Sequence, residues 1–235
     1  METKYIRREL SAVIEEAYRY FSVITVTGPR QSGKTTLIRN LFPHLPYYSL
    51  ENLDVRSFAE NDPVAFLNQH AEGMILDEVH NAPNLLSYIQ GMVDDDADRR
   101  FILSGSSQFA MLKRITQSLA GRTAVFELLP LSYSEIREIA SDTPLDHLLL
   151  DGFYPAIYSG RNVPKFLYPA YMKTYLDKDV RDLLQIKDMM QFHTFIRLCA
   201  GRIGSLFKAS ELANEIGISS HTVTAWLSVL QASYI

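Results

Sequence analysis

One octapeptide, Gly28-Pro29-Arg30-Gln31-Ser32-Gly33-Lys34-Thr35, constrains this chain more than any other stretch. A glycine, four residues and then Gly-Lys-Thr is the spacing of a loop that wraps a phosphate. The apolar run Val23-Ile24-Thr25-Val26-Thr27 before it has the composition of a strand. Thr36-Leu37-Ile38-Arg39-Asn40-Leu41 after it has helical spacing, with no breaker until Pro43. Strand, loop and helix in that order supply the physics of the motif. Glycines let backbone N–H groups turn inward, and the helix N-terminus offers its own unpaired N–H groups to the same anion. The candidate nucleotide-binding set is therefore Gly28, Pro29, Arg30, Gln31, Ser32, Gly33, Lys34, Thr35 and Thr36. Lys34 is expected to reach the β- and γ-phosphates of ATP, and the Thr35 hydroxyl to hold Mg²⁺.

A second stretch, Gly73-Met74-Ile75-Leu76-Asp77-Glu78, is a continuous apolar run ending in two carboxylates. Uninterrupted apolar strands belong to parallel sheets covered on both faces, and such sheets bind ligands at the carboxyl ends of their strands. Asp77 is the candidate to hold Mg²⁺, directly or through water. Glu78 is the candidate to orient or deprotonate an attacking water. Residues 47–50, 101–107 and 123–128 read as further strands. Helical patterns lie between them, at 5–20, 36–41, 83–89 and 111–119, with Asp62-Pro63 opening another. The alternation predicts an α/β fold, a parallel sheet of about five strands with helices on both faces. Beyond Leu131 the period is helical throughout, with candidates at 133–139, 145–150, 164–184 and 189–203. The stretch 210–219 and then 220–230, two short helices split by a Gly-containing turn, read as a helix-turn-helix.

Further candidates surround the two motifs. Ser104 and Ser106 end a central strand, where a hydroxyl can bond the γ-phosphate or the attacking water; Ser106 is the preferred one. His80 reads as a loop residue beside the site. Arg122 follows a helix and precedes the last strand, a position from which an arginine finger acts on a neighbouring subunit's γ-phosphate, with Arg114 as the substitute. An exposed salt bridge is the competing role for Arg122. Arg7 and Arg8 read as solvated surface, and the acidic run Asp94-Asp95-Asp96-Ala97-Asp98 as a solvated loop.

Composition narrows the classes. One cysteine, Cys199, excludes an intramolecular disulfide and a multi-cysteine metal site. At 47% hydrophobic residues the chain can bury a core, and it has no apolar run of 18 residues to span a membrane. The first residues do not resemble a signal peptide, so a cytoplasmic location is expected. Net charge is −4, divided between 14 Lys and Arg against 21 Asp and Glu over residues 1–160, and nine against six over 161–235. That mild asymmetry gives the tail a weak case for nucleic acid. The exposed candidates of the second short helix, Ser219, Ser220, His221 and Thr224, include no Arg or Lys, the residues that most often read guanine; Lys208 and Arg202 remain for phosphates.

Taken together, Gly-Pro-Arg-Gln-Ser-Gly-Lys-Thr (28–35), Leu-Asp-Glu-Val-His (76–80), Leu-Ser-Gly-Ser-Ser (103–107), Leu-Ala-Gly-Arg (119–122) and Leu-Leu-Pro-Leu-Ser (128–132) resemble a prokaryotic AAA+-superfamily ATPase. Asp77-Glu78 then looks like a Walker B motif. More narrowly, the chain resembles a group in which a winged-helix-like region follows the core and a further domain follows that. Asp151-Gly152-Phe153-Tyr154-Pro155 and Tyr175-Leu176-Asp177-Lys178-Asp179-Val180 carry the same resemblance, and the uncapped apolar end at 232–235 leads us to expect a longer gene product. The resemblance implies ATP binding and hydrolysis with Mg²⁺. The expected organisation is an ATPase core over 1–130, a helical lid or linker over 131–200 and a helix-turn-helix over 201–235. The leading functional reading is a motor or switch acting on double-stranded DNA or on a protein partner, with a homo-oligomer where the finger operates. The alternative is a nucleotide-gated binding module with little turnover. A small-molecule kinase ranks below both, since no lid with clustered arginines is seen. A helicase ranks there too: Asp77-Glu78-Val79-His80 spells DExH, but the chain is too short for two ATPase lobes.

Overall fold

The computed structural model describes residues 5–105, 118–174, 188–232 and 234. They form two compact units, 1–163 and 164–235.

The first unit is built on a five-stranded, wholly parallel sheet. Its strands are β1 (Val23–Thr27), β2 (Tyr47–Ser49), β3 (Gly73–Asp77), β4 (Arg100–Gly105) and β5 (Thr123–Glu127), in the spatial order β2-β3-β4-β1-β5. Every residue of β1 and β3 is buried, as expected of largely apolar strands covered on both faces. Helices α1 (Leu10–Ala17) and α2 (Lys34–Leu41) cover one face, where Ile14, Leu37, Ile38 and Phe42 pack on Ile24, Val26, Ile75 and Ile102. On the other face Leu50, Phe66, Leu76, Leu85, Ile89, Phe101 and Leu103 form a second core beneath α3 (Leu53–Asn61), α4 (Pro63–Leu67) and α5 (Leu85–Asp95). The register aligns Val23 with Phe101 and Thr27 with Gly105, so the carboxyl ends of β1, β3 and β4 share one edge of the sheet. Asp62 caps α4 as its sequence suggests, accepting the Ala65 N–H at 3.0 Å ahead of a proline at the first helical turn.

Two sequence expectations change here. The first helix begins at Leu10 rather than near residue 5, which leaves Arg8 ahead of it, 6% exposed instead of solvated. Its guanidinium donates to both Glu135 carboxylate oxygens at 3.0 Å, to Ser32 O at 2.8 Å, and to Leu129 O and Pro130 O at 2.7 and 3.1 Å. Glu135, 5% exposed, completes the capping box of α6 (Tyr133–Arg137) with Ser132. This network ties the chain after β5 to the loop after β1, which is why the first unit runs past residue 130 through α7 (Leu145–Asp151) and α8 (Pro155–Tyr158). Removing one partner of a buried pair strands the other charge. Arg8→Ala is therefore expected to lower the unfolding free energy by about 3–5 kcal/mol. Urea denaturation checks this, and a loss below about 1 kcal/mol, the size of an exposed pair, would contradict it. The second change concerns the acidic run. Asp94 and Asp95 lie inside α5, and Asp94 is paired rather than free in a loop.

The second unit is helical: α9 (Pro164–Tyr171), α10 (Met189–Ala200), α11 (Ala209–Ile216) and α12 (Ser220–Ala232). Phe192, Phe195 and Trp226 form its aromatic core, with the Trp226 ring edge-on to Phe192 at 5.2 Å between centroids. Gly217, at φ +78°, ends α11 in the left-handed conformation that glycine adopts freely, and α12 starts three residues later. The expected helix at 111–119, the 175–180 motif and candidates Ser106 and Arg114 fall wholly or largely outside the described residues.

Candidate active site

The loop after β1 is a cradle made by backbone conformation. Gly28 sits at φ +142°, and a β-carbon there would lie 2.2 Å from Leu128 O, because the Leu128 N–H is bonded to Thr27 O at 2.8 Å. Only glycine fits. Gly33, at φ +96°, is the N-cap of α2, and Gln31 between them is also left-handed at φ +62°. Alternating handedness along a short loop turns successive N–H groups to one side, the geometry of an anion nest. Lys34 is 6% exposed, and its ammonium donates to Gly28 O at 2.9 Å and to Pro29 O at 2.7 Å. Burial lowers its pKa to about 8, against the opposing pull of Glu78 and then Asp77. Ser32 is fully buried, and its hydroxyl has no partner among the described residues. A cation folded onto its own loop and an orphaned hydroxyl beside it are what an anion-binding cradle leaves when only protein is present.

Asp77 lies at the same edge. It is 4% exposed and accepts four hydrogen bonds. Thr35 Oγ1 and the Tyr47 hydroxyl donate to Oδ2 at 2.6 and 2.8 Å; the Ser104 hydroxyl and the Glu78 N–H, at 3.1 Å, donate to Oδ1. Four elements thus converge on one carboxylate: α2, β2, β4 and the turn after β3. Hydroxyl and carboxylate oxygens are the donors a hard divalent cation such as Mg²⁺ takes, so Thr35 and Asp77 could hold it. Glu78 is left-handed at φ +54°, a conformation of a few per cent of non-glycine residues that clusters at functional sites. His80 Nδ1 lies 3.1 Å from Glu78 Oε2, at ion-pair distance without the angle of a hydrogen bond.

Three residues at this edge escaped full notice in the sequence. Ser104, second to Ser106 as a sequence candidate, bonds Asp77; Tyr47 reads in sequence only as part of a strand; Arg8, bonded to Ser32 O, reads in sequence as surface. The signal available for Tyr47 was its place two residues before the position opposite Asp77, which requires the strand register to be known.

Arg122 is elsewhere. Thr123 pairs with Val23 at the amino-terminal edge of the sheet, four residue steps, or about 13 Å along the strand, from the loop end of β1. The Arg122 guanidinium grips Asp94 through two N–H groups, Nη2 to Oδ2 at 2.7 Å, and Nη1 donates to Ala120 O at 3.0 Å. The bond to Arg122 holds the exposed Asp94 carboxyl below its ordinary range.

Residues 20–137 match a protein-family model described as an AAA domain, and residues 142–235 match a model of a domain of unknown function. The uncharacterized proteins Rv2008c of Mycobacterium tuberculosis and Mb2031c of Mycobacterium bovis are each 30% identical over 233 residues, which take in 95% of this chain and 51% of theirs. The chain spans about half the length of these curated relatives. Among solved structures, the Walker-type ATPase PABY2304 of Pyrococcus abyssi aligns over 97% of this chain and 90% of its own, with a TM-score of 0.55 and 13% sequence identity, a likeness of fold alone. Among the described residues no helix is long and apolar enough to cross a membrane. With an AAA-domain match over half its length, on a parallel sheet whose first strand feeds a phosphate-type loop, this chain belongs to the AAA-domain family and has a P-loop ATPase fold.

Proposed function

We propose that the first unit binds ATP at the loop 28–36 and hydrolyses it, and that the protein works as an ATP-driven switch on a protein partner. The observation that carries this reading is the Asp77 carboxylate, buried one hydrogen bond from Thr35 and beside the loop that holds Lys34. In this reading the loop N–H groups and Lys34 bind the phosphates, and Thr35 and Asp77 hold Mg²⁺. The cation supplies neutralisation of charge on the phosphate oxygens. Glu78 accepts the proton of the attacking water. The Ser104 hydroxyl and the Tyr47 phenol keep the Asp77 carboxylate turned toward Thr35. Ser106 remains a candidate for orienting the water.

A protein partner is favoured over DNA by the state of Arg202 and Lys208, the two cations expected to meet phosphates. Arg202 is paired with Glu215, and Lys208 donates to Glu211 at 2.8 Å, so both cations considered for phosphate contacts are already partnered by carboxylates. Steady phosphate release without stimulation by double-stranded DNA is the expected result. Strong stimulation by DNA would overturn the choice of partner.

One observation favours the low-turnover reading: the Arg122–Asp94 pair occupies the residue assigned as finger. An arginine finger acts in trans, so Arg122 must exchange Asp94 for a neighbouring subunit's phosphate. We expect turnover per subunit to rise with protein concentration, Arg122→Ala to bind ATP normally while losing most turnover, and a mixture with Glu78→Gln to regain activity at interfaces that pair the intact residues. A surface ion pair, which alters stability only slightly, predicts none of these. Turnover independent of concentration, with no recovery on mixing, favours the nucleotide-gated module.

A further inference from the structure

We propose that Tyr47 is a positioning residue for the Asp77 carboxylate, and through it sets how strongly nucleotide binding depends on Mg²⁺. The inference rests on the reading of Asp77 given above. Strand β2 lies at the edge of the sheet, and its register pairs Tyr47 with Ile75 and Ser49 with Asp77. Positions two apart on a strand share a face, so Tyr47 and Asp77 lie on the same side, and the length of the tyrosine carries its hydroxyl to Asp77 Oδ2 at 2.8 Å. A shorter side chain at this position would not reach.

The four bonds on Asp77 divide unequally. Oδ1 accepts from the Ser104 hydroxyl and the Glu78 N–H, both supplied by the sheet and the turn that follows it. Oδ2 accepts from Thr35 and Tyr47. Thr35 is the hydroxyl assigned to the cation. A cation there would meet a lone pair of the Thr35 oxygen while its proton stayed on Oδ2, and Tyr47 is the second side chain that would fix the same oxygen, from a different strand. The ring is itself held: the Arg39 guanidinium carbon stands 4.8 Å from its centroid, a stacking distance for a cation over an aromatic face. Outer partners of this kind orient metal-binding carboxylates, and losing them weakens metal affinity by about 10–100-fold.

The test uses a fluorescent ATP analogue, bound first in excess EDTA and then with Mg²⁺ titrated in. Tyr47→Phe keeps the ring, its packing and the stacking with Arg39, and removes only the donor. Its analogue affinity in EDTA should equal that of the wild type, while the Mg²⁺ concentration at half-effect should rise about tenfold. Tyr48→Phe serves as the control on the same strand: it loses a 2.8 Å bond to His70 Nε2 and should leave the Mg²⁺ dependence unchanged. The inference is overturned if Tyr47→Phe keeps the wild-type half-effect, if it weakens binding equally in EDTA, or if Tyr48→Phe shifts the Mg²⁺ dependence as much. Wild-type binding that is the same in EDTA and in Mg²⁺ would instead remove Asp77 from the metal site, and the proposed function would fall with it.

Discussion

ATP affinity should fall about 100-fold or more in Lys34→Ala, with the fold intact. The ammonium is the strongest positive charge at the cradle, and charge-assisted hydrogen bonds to two phosphate groups are worth about 1.5–3 kcal/mol each. A single such bond lost is already a tenfold effect or more. The substitution should not unfold the protein. Because the folded state lowers the pKa of Lys34 from 10.5 to about 8, it disfavours the charged form. That opposition is on the order of 3 kcal/mol, present in full below pH 8 and relieved as pH rises toward 10.5. Alanine removes it and frees the Gly28 and Pro29 carbonyls. The same shift gives a second reading of the same residue. Wild-type affinity for ATP should weaken as pH rises above 8, where the free ammonium loses its proton, and the alanine variant should lack that dependence. Equilibrium dialysis at several pH values measures both. A folded Lys34→Ala that binds ATP like the wild type would refute the cradle assignment.

Glu78→Gln should separate binding from chemistry. The amide preserves size and the left-handed backbone position but loses the oxygen that takes a proton from water. General-base catalysis contributes about 10²–10⁴-fold, so turnover should drop by that order while ATP affinity stays within a few-fold. His80 Nδ1 lies 3.1 Å from the Glu78 carboxylate without a hydrogen bond to it, so the substitution breaks no bond between them that holds the loop. Wild-type turnover in Glu78→Gln would show that another group takes the proton.

The parts of this molecule that could be read from the chain are those encoded locally. The strand–loop–helix around Gly28 to Thr35 was legible because spacing alone dictates where the glycines and the lysine lie, and the end of β3 because an apolar run stops abruptly at Asp77. The strands followed from local composition, most clearly in the apolar stretches of β1, β3 and β4, but their spatial order did not, since crossover connections leave no local trace. Arg8 and Glu135 are 127 positions apart and became a buried pair only when the chain after β5 folded back on the loop. An arginine at the start of an amphipathic pattern looks like any solvated arginine, and nothing near it in sequence announces its carboxylate. Tyr47 was hidden for a related reason: its role depends on a pairing with a strand 28 positions along, through Ile75. Arg122 was correctly located before β5, yet the carboxylate it grips came from a run that looked like loop and proved in part to be helix.

The central claim, that the 28–36 loop and Asp77 form one site for ATP with Mg²⁺, is tested most directly by calorimetric titration of ATP into the wild-type chain, once with Mg²⁺ and once with EDTA. Saturable binding at one site per chain, tighter with Mg²⁺ than without it, is expected. No saturable heat at millimolar ATP in either condition would contradict it.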